Sequence, residues 1–228
     1  MIQKEIVDTL VVSDIHLGSN ASRVKDLTGF LRSNPTKRLI LNGDVFDSSN
    51  YKRLRDKDWE FLSLLREMTG NGNEVVWIAG NHDMYSKNFF LLVGAKVCSE
   101  YIFSYNEGKY LVIHGHQFDR FLIKSEKVSE TMRMPYRLLQ RMEGEKQRVS
   151  RLVKRGYKKW LRLSKRVSRG AAAHAAGKGI GAVICGHTHH PMDTVVHGVR
   201  YMNCGSWAEA KVAYVEFAGG NVSVQVMD

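Results

Sequence analysis

Five short motifs along the chain carry side chains suited to binding divalent cations: Asp14-x-His16, Gly43-Asp44-x-x-Asp47, Gly80-Asn81-His82-Asp83, His114-Gly115-His116 and Gly186-His187-x-His189. Carboxylate, imidazole and amide oxygen together form the donor set of manganese, iron or zinc. Each motif alone has a plainer reading. An Asp-x-His after a strand is ordinarily a turn with a surface histidine, and Gly-Asp or Gly-Asn is ordinary turn chemistry. Five in one chain, each where an apolar run stops, point instead to donors gathered at strand ends, where an open α/β sheet keeps its ligand crevice. The neighbouring glycines let the backbone turn sharply enough for those donors to converge.

The elements that must position them are legible as patterns. Residues 6–13, 38–42 and 74–79 read as buried strands, and 22–33 and 51–69 show helical spacing. Trp59, Leu62, Leu65 and Met68 share one helical face, and Leu27, Phe30 and Leu31 share another. This alternation predicts a mostly parallel sheet covered by helices. Further on, 101–105 and 109–114 flank Asn106-Glu107-Gly108 as a hairpin; runs follow at 181–185, 193–196, 200–203, 211–217 and 221–227. The expectation is a single domain over 1–228, an α/β core whose C-terminal part is antiparallel, with a basic helical lid inserted at about 119–179.

The 228 residues carry a net charge of +11, with 43% hydrophobic and 25% charged residues, as in an ordinary globular domain. The charge is concentrated. The segment that opens at Arg120 and closes at Arg169 holds 17 Lys/Arg and 4 Asp/Glu, and the remainder is close to neutral. Within 146–169, Val149, Leu152, Val153, Tyr157 and Trp160 recur at helical spacing among basic residues, a cationic amphipathic helix, and a second helical stretch is expected around 121–142. Solvated packing is the ordinary fate of such a face. Here the imbalance favours a lid that attracts an anion, either a substrate diphosphate or acidic lipid headgroups. A nucleic-acid backbone is the alternative partner. Three cysteines without C-x-x-C spacing read as reduced thiols, with Cys185 and Cys204 as small buried hydrophobes. No secretory or membrane-spanning signal is evident, so the expected location is cytoplasmic, with peripheral contact at the inner membrane face. His174, His190 and His197 read as solvent or loop residues.

The ordered set D-x-H, G-D-x-x-D, G-N-H-D, H-G-H and G-H-x-H resembles the calcineurin-like metallophosphoesterase superfamily. The resemblance implies a four-layer α/β/β/α sandwich and a dinuclear metal centre that activates water for attack on phosphorus. Residue by residue, it implies that Asp14, His16 and His189 hold one metal, Asn81, His114 and His187 the second, and Asp44 bridges both. His82 then remains to donate a hydrogen bond or proton to the phosphate or leaving oxygen, with Asp83 orienting it. Asp47 and His116 fall behind the ligands, Asp47 fixing a ligand or loop.

Within that superfamily, Ser13-Asp14-Ile15-His16-Leu17-Gly18, His114-Gly115-His116-Gln117-Phe118-Asp119, Gly186-His187-Thr188-His189-His190-Pro191 and Asn203-Cys204-Gly205-Ser206-Trp207 resemble the UDP-2,3-diacylglucosamine pyrophosphatase group. That resemblance implies a manganese-dependent hydrolase of lipid A biosynthesis, which cleaves a lipid-linked sugar nucleotide to UMP and a lipid monophosphate. His82 departs from its best-characterised branch, which carries arginine there.

Overall fold

The computed structural model describes residues 6–83, 86–119 and 146–227, with backbone alone for 146–161 and Lys87. Two sheets lie face to face. The first has the order β11-β10-β1-β2-β3-β4, formed by β1 (Val7–Val12), β2 (Thr36–Asn42), β3 (Glu74–Ile78), β4 (Lys96–Cys98), β10 (Val212–Ala218) and β11 (Asn221–Met227). The second has the order β5-β6-β7-β9-β8, formed by β5 (Glu100–Tyr105), β6 (Gly108–Ile113), β7 (Ala182–Cys185), β8 (Met192–Val196) and β9 (Val199–Asn203).

Strand periodicity sorts the side chains into layers. In β1, β2 and β3, Leu10, Val12, Leu39, Leu41, Val75 and Trp77 face a core shared with α1 (Val24–Ser33), α2 (Asp56–Gly70) and α3 (Lys87–Leu92). Their alternate neighbours Val11, Ile40, Val76 and Ile78 face the second sheet, where they meet Val112, Ile184 and Met202. On the far side of that sheet, Leu111, Ile113, Val183 and Tyr201 pack against Ala171, Ala172 and Ala175 of α4 (Lys146–Gly177). Short alanine side chains let this helix approach the sheet closely. The result is helix, sheet, sheet, helix, the sandwich that the motifs implied. Each large apolar side chain so buried contributes about 1.5–3 kcal/mol.

Several expectations change in detail. The 51–69 helix is split into a 3-10 turn, Tyr51–Arg53, and α2, whose entry is fixed where the buried Asp58 carboxylate accepts the Arg55 N–H at 2.8 Å. Trp59 does not join Leu62 and Leu65 in the core: it is 48% exposed and its ring rests 6.3 Å from that of Phe89. The second sheet is mixed and not antiparallel, because β6, β7 and β9 run parallel between antiparallel edges. The longer path from β6 to β7, through α4, permits the parallel pairing.

Helix α4 has 32 residues, about 48 Å of rise. A Cβ on Gly115 would touch Val167 and a Cβ on Gly170 would strike Phe118, so this part of α4 is level with the strand-end loop 114–118. Residues 146–166 add about 30 Å of helical rise ahead of this contact. Near its C-terminus His174, and Lys178 just past it, bind Glu100 of β5 at 2.8 and 2.6 Å, so His174 is a tether and not a solvent residue. The helical stretch expected at 121–142 lies outside the described residues. No helix among the described residues is long and apolar enough to cross a membrane.

Trp77 joins the fold to the strand-end loops. It is 1% exposed, stacks on Phe90 at 4.1 Å, and its Nε1–H reaches Asp83 Oδ2 at 3.3 Å. Trp77→Ala is expected to cost about 3–5 kcal/mol, measured by urea denaturation of the metal-free protein.

Candidate metal centre

Where β1, β2, β3, β6 and β7 end, their last residues turn toward one point. The turns are tied across the strands: Asp14 N–H donates to the Gly43 carbonyl at 3.1 Å and His16 N–H to the Asp44 carbonyl at 3.0 Å. Asp14, His16, Asp44, His187 and His189 all adopt positive φ, between 51° and 63°. For a side chain with a Cβ this conformation costs about 1–2 kcal/mol. Glycine is required at three close approaches: a Cβ on Gly80 would collide with Asp44 Oδ1, one on Gly186 with the Ser13 hydroxyl, and one on Gly43 with the His114 ring.

Six of the seven residues implied as ligands fall into two groups here; the seventh, Asn81, has its Oδ1 buried without a hydrogen-bond partner. Ligand atoms of Asp14, His16 and His189 lie within 4.8 Å of one another, and so do those of Asp44, His114 and His187. A third such set, His16, Asp47 and His82, joins the first at its edge, but Arg53 Nη1 donates to Asp47 Oδ2 and competes with any cation there. Each buried carboxylate splits its oxygens between two tasks. Asp14 Oδ2 accepts from the Ser13 hydroxyl and His187 N–H, while Oδ1 faces His189 Nε2 at 3.1 Å. Asp44 Oδ1 accepts from His82 N–H at 2.9 Å, while Oδ2 faces His114 Nε2 at 3.5 Å and His82 Nε2 at 3.8 Å.

Orphaned atoms test whether these residues fit metal ions. Asp14 Oδ1, His16 Nδ1, Asn81 Oδ1 and His114 Nε2 are buried and complete no hydrogen bond. These four belong to the proposed ligands, and among the described residues Asn42 Oδ1, Asp58 Oδ1, His116 Nδ1, Ser164 Oγ and Trp207 Nε1 are likewise without partners; buried polar atoms of this kind are rare unless something else satisfies them. His114 is directed by its other nitrogen, since Nδ1 must donate to the Asn42 carbonyl at 2.7 Å and so leaves Nε2 for the site. Carboxylate, imidazole and amide donors in two adjoining groups fit a pair of borderline divalent cations.

Other expected residues are placed differently. Asp83 does not orient His82. Its buried carboxylate accepts from Val45 N–H at 2.7 Å, Gly80 N–H at 2.8 Å and the Trp77 indole, so it braces the loops that carry Asp44 and Asn81. Burial and the nearby Asp44 charge raise its pKa to about 6. The His82 ring is met by the Asp47 carbonyl at 2.9 Å from Nδ1. The Asp47 carboxylate binds Arg53 and stands 3.8 Å from His16 Nδ1. His116 lies 5.4 Å from the His114 ring, and burial and the His114 charge lower its pKa to about 4. Cys185 and Cys204 are fully buried; burial pushes the Cys204 thiol up to about 12.

Two carboxylates at the site were not anticipated. Asp119 Oδ2 stands 3.4 Å from His187 Nε2, and Glu209 Oε1 stands 3.1 Å from His189 Nδ1. Asp119 follows His116 by one 3-10 turn, a spacing that the H-G-H-x-x-D run contains; Glu209 has no signal in the sequence beyond following Trp207. The 203–207 segment is the clamp between motifs. Asn203 Nδ2 donates to the Gly186 carbonyl at 2.7 Å, and the Ser206 hydroxyl to the Asp14 carbonyl at 3.1 Å.

The histidines record the charge of this pocket. Burial pushes His114 and His189 down, but Asp44 and Asp14 outweigh it and raise them to about 9 and about 10. Both are therefore protonated in the metal-free protein near neutral pH, and a cation must displace those protons to bind. About two protons are expected to be released on saturation at pH 7.5, and apparent affinity should climb as pH rises toward 9. Isothermal titration calorimetry in buffers of different ionisation enthalpy measures this; uptake without proton release would contradict it.

Residues 8–191 match the family described as calcineurin-like phosphoesterase. Among solved structures, one titled a novel archaeal phosphodiesterase is 12% identical over 96% of this chain and 99% of its own, with a TM-score of 0.52. A predicted phosphoesterase from Streptococcus pneumoniae is 16% identical, covering 97% and 88%, at 0.45. Vps29 of Entamoeba histolytica, complexed with zinc, is 13% identical, covering 96% and 98%, at 0.46. At this identity the archaeal structure shows a shared fold and nothing further. No curated protein matches. With the family match spanning most of its length, the chain belongs to the calcineurin-like phosphoesterases.

Proposed function

We propose that this protein hydrolyses phosphodiester or diphosphate bonds at a dinuclear metal centre. The supporting observation is the convergence of two donor groups around the buried Asp14 and Asp44, with Asp14 Oδ1, Asn81 Oδ1 and His114 Nε2 buried and without hydrogen-bond partners. Asp14, His16 and His189 hold one cation, Asn81, His114 and His187 the other, and Asp44 serves both. Bound there, two divalent cations supply charge stabilisation for phosphoryl oxygens and lower the pKa of water. Manganese is the proposed metal, with iron or zinc also suited to the donors.

The chain's own groups do the rest. A carbonyl accepts only, so His82 Nδ1 carries a hydrogen toward Asp47 and Nε2 faces the site, where it can hold a proton for the leaving oxygen. Asp83 keeps the loop bearing Asn81 and His82 against the one bearing Asp44.

The proposed substrate is a lipid-linked sugar nucleotide of the UDP-2,3-diacylglucosamine kind, cleaved to UMP and a lipid monophosphate at an anionic membrane surface on the cytoplasmic side. What supports a polyanionic substrate is α4. At the level of the strand-end loops it exposes Arg162, Lys165, Arg166 and Arg169, which form no ion pair among the described residues and line a groove of their own. The same ridge fits a nucleic-acid backbone, which makes nuclease activity the second reading.

Asp44→Ala is expected to abolish cleavage of bis-p-nitrophenyl phosphate; retained turnover at matched metal occupancy would refute the two-metal reading. Replacing the four α4 cations by glutamine should reduce activity on the lipid diphosphate by about tenfold or more while sparing the small chromogenic ester. Equal losses on both would exclude a substrate-binding ridge. Binding to anionic vesicles but not to single-stranded DNA favours the lipid substrate over the nuclease.

A further inference from the structure

We propose that Glu209 is a positioning residue for His189, and that it selectively tightens cation binding at the Asp14, His16 and His189 group. The proposal rests on the two-metal reading above. His114 and His82 are each backed by a neutral main-chain carbonyl, from Asn42 at 2.7 Å and Asp47 at 2.9 Å. His189 is backed instead by a carboxylate, Glu209 Oε1, at 3.1 Å from Nδ1. An ionised carboxylate only accepts, so Nδ1 bears hydrogen and the ring's other nitrogen is left for coordination. That other nitrogen, Nε2, is the one that stands 3.1 Å from Asp14 Oδ1.

Glu209 is exposed, so its hold on His189 depends on a rigid loop and not on burial. The loop is rigid at both flanks. Before it, Trp207 is fully buried, its ring 5.7 Å from Phe30, and its N–H donates to the Ser13 and Asp14 carbonyls at 3.3 and 3.2 Å. After it, the Ala210 carbonyl accepts from Arg23 Nη1 at 2.7 Å, and Arg23 N–H donates to the Trp207 carbonyl at 2.9 Å. Glu209 is thus anchored to the same strand end that presents Asp14 and His16, and His189 is held at Nδ1 while Nε2 faces Asp14. A carboxylate behind a ligating imidazole fixes its tautomer and raises its basicity. Among the described residues Glu209 hydrogen-bonds His189 and none of Asp44, His114 and His187, so its influence stays with one group of the pair.

The test is competition of manganese against a chromogenic chelator, resolving two binding events in the wild type, Glu209→Ala and Glu209→Gln, alongside the melting temperature of each metal-free protein. In Glu209→Ala one event should weaken about 10–100-fold and the other stay within about twofold, with the melting temperature unchanged. Glu209→Gln keeps an acceptor without the charge, fixes the tautomer alone and should recover part of the loss. Turnover of Glu209→Ala should fall at limiting manganese and return at saturating manganese with KM unaltered. Two unchanged events, two that weaken together, or a glutamine variant no better than alanine would overturn the proposal. A wild type that binds no second cation would defeat the two-metal reading itself, whereas a two-cation wild type with an unaffected Glu209→Ala defeats this proposal alone.

Discussion

Two carboxylates buried a few ångströms from several histidines set the terms for everything around them. Asp14 is fully buried and Asp44 is 2% exposed. An uncompensated charge in such a place costs several kcal/mol. The fold answers by giving each carboxylate one oxygen tied to backbone N–H groups of a neighbouring motif and one oxygen turned inward. The tied oxygens knit the motifs together, since His187 N–H reaches Asp14 and His82 N–H reaches Asp44 across long stretches of chain. The inward oxygens raise the histidines beside them and hold the metal-free site in a paired, protonated state.

That arrangement dictates the glycines and the sheet architecture. Gly80 and Gly186 sit where a single methyl group would displace the carboxylate of Asp44 or the hydroxyl that supports Asp14. The two sheets must present their strand ends on one side, which the parallel runs of β1, β2 and β3 and of β6 and β7 accomplish. The helices stay on the outer faces, with α4 packed on the second sheet through Ala171, Ala172 and Ala175.

The donors were legible because metal chemistry restricts residue type and because strand ends are visible as the limits of apolar runs. Layering was legible for the same reason: Leu10, Val11 and Val12 alternate between two cores as a half-period pattern requires. What the pattern could not give was side-chain direction within loops. Asp83 lies next to His82 in sequence yet points at Val45 and Gly80, and the Asp47 carbonyl takes the role assigned to it. Glu209 was invisible, since an acid on an exposed loop carries no periodicity. Trp59 obeyed helical spacing but occupies the first turn of α2, where its ring meets α3 instead of the sheet. The short β4 and α3 have too few residues to show a period at all.

The left-handed backbone at Asp14, His16, Asp44, His187 and His189 bears on how this sequence drifts over time. At each of these positions glycine would relieve the chain, so random substitution finds an easy gain in folding stability by discarding a donor. Aspartate and histidine persist there only under selection that acts against the folding free energy. A descendant released from binding cations would show that release first at these five positions, as glycine or asparagine replacing the donor while the surrounding strands stayed as they are.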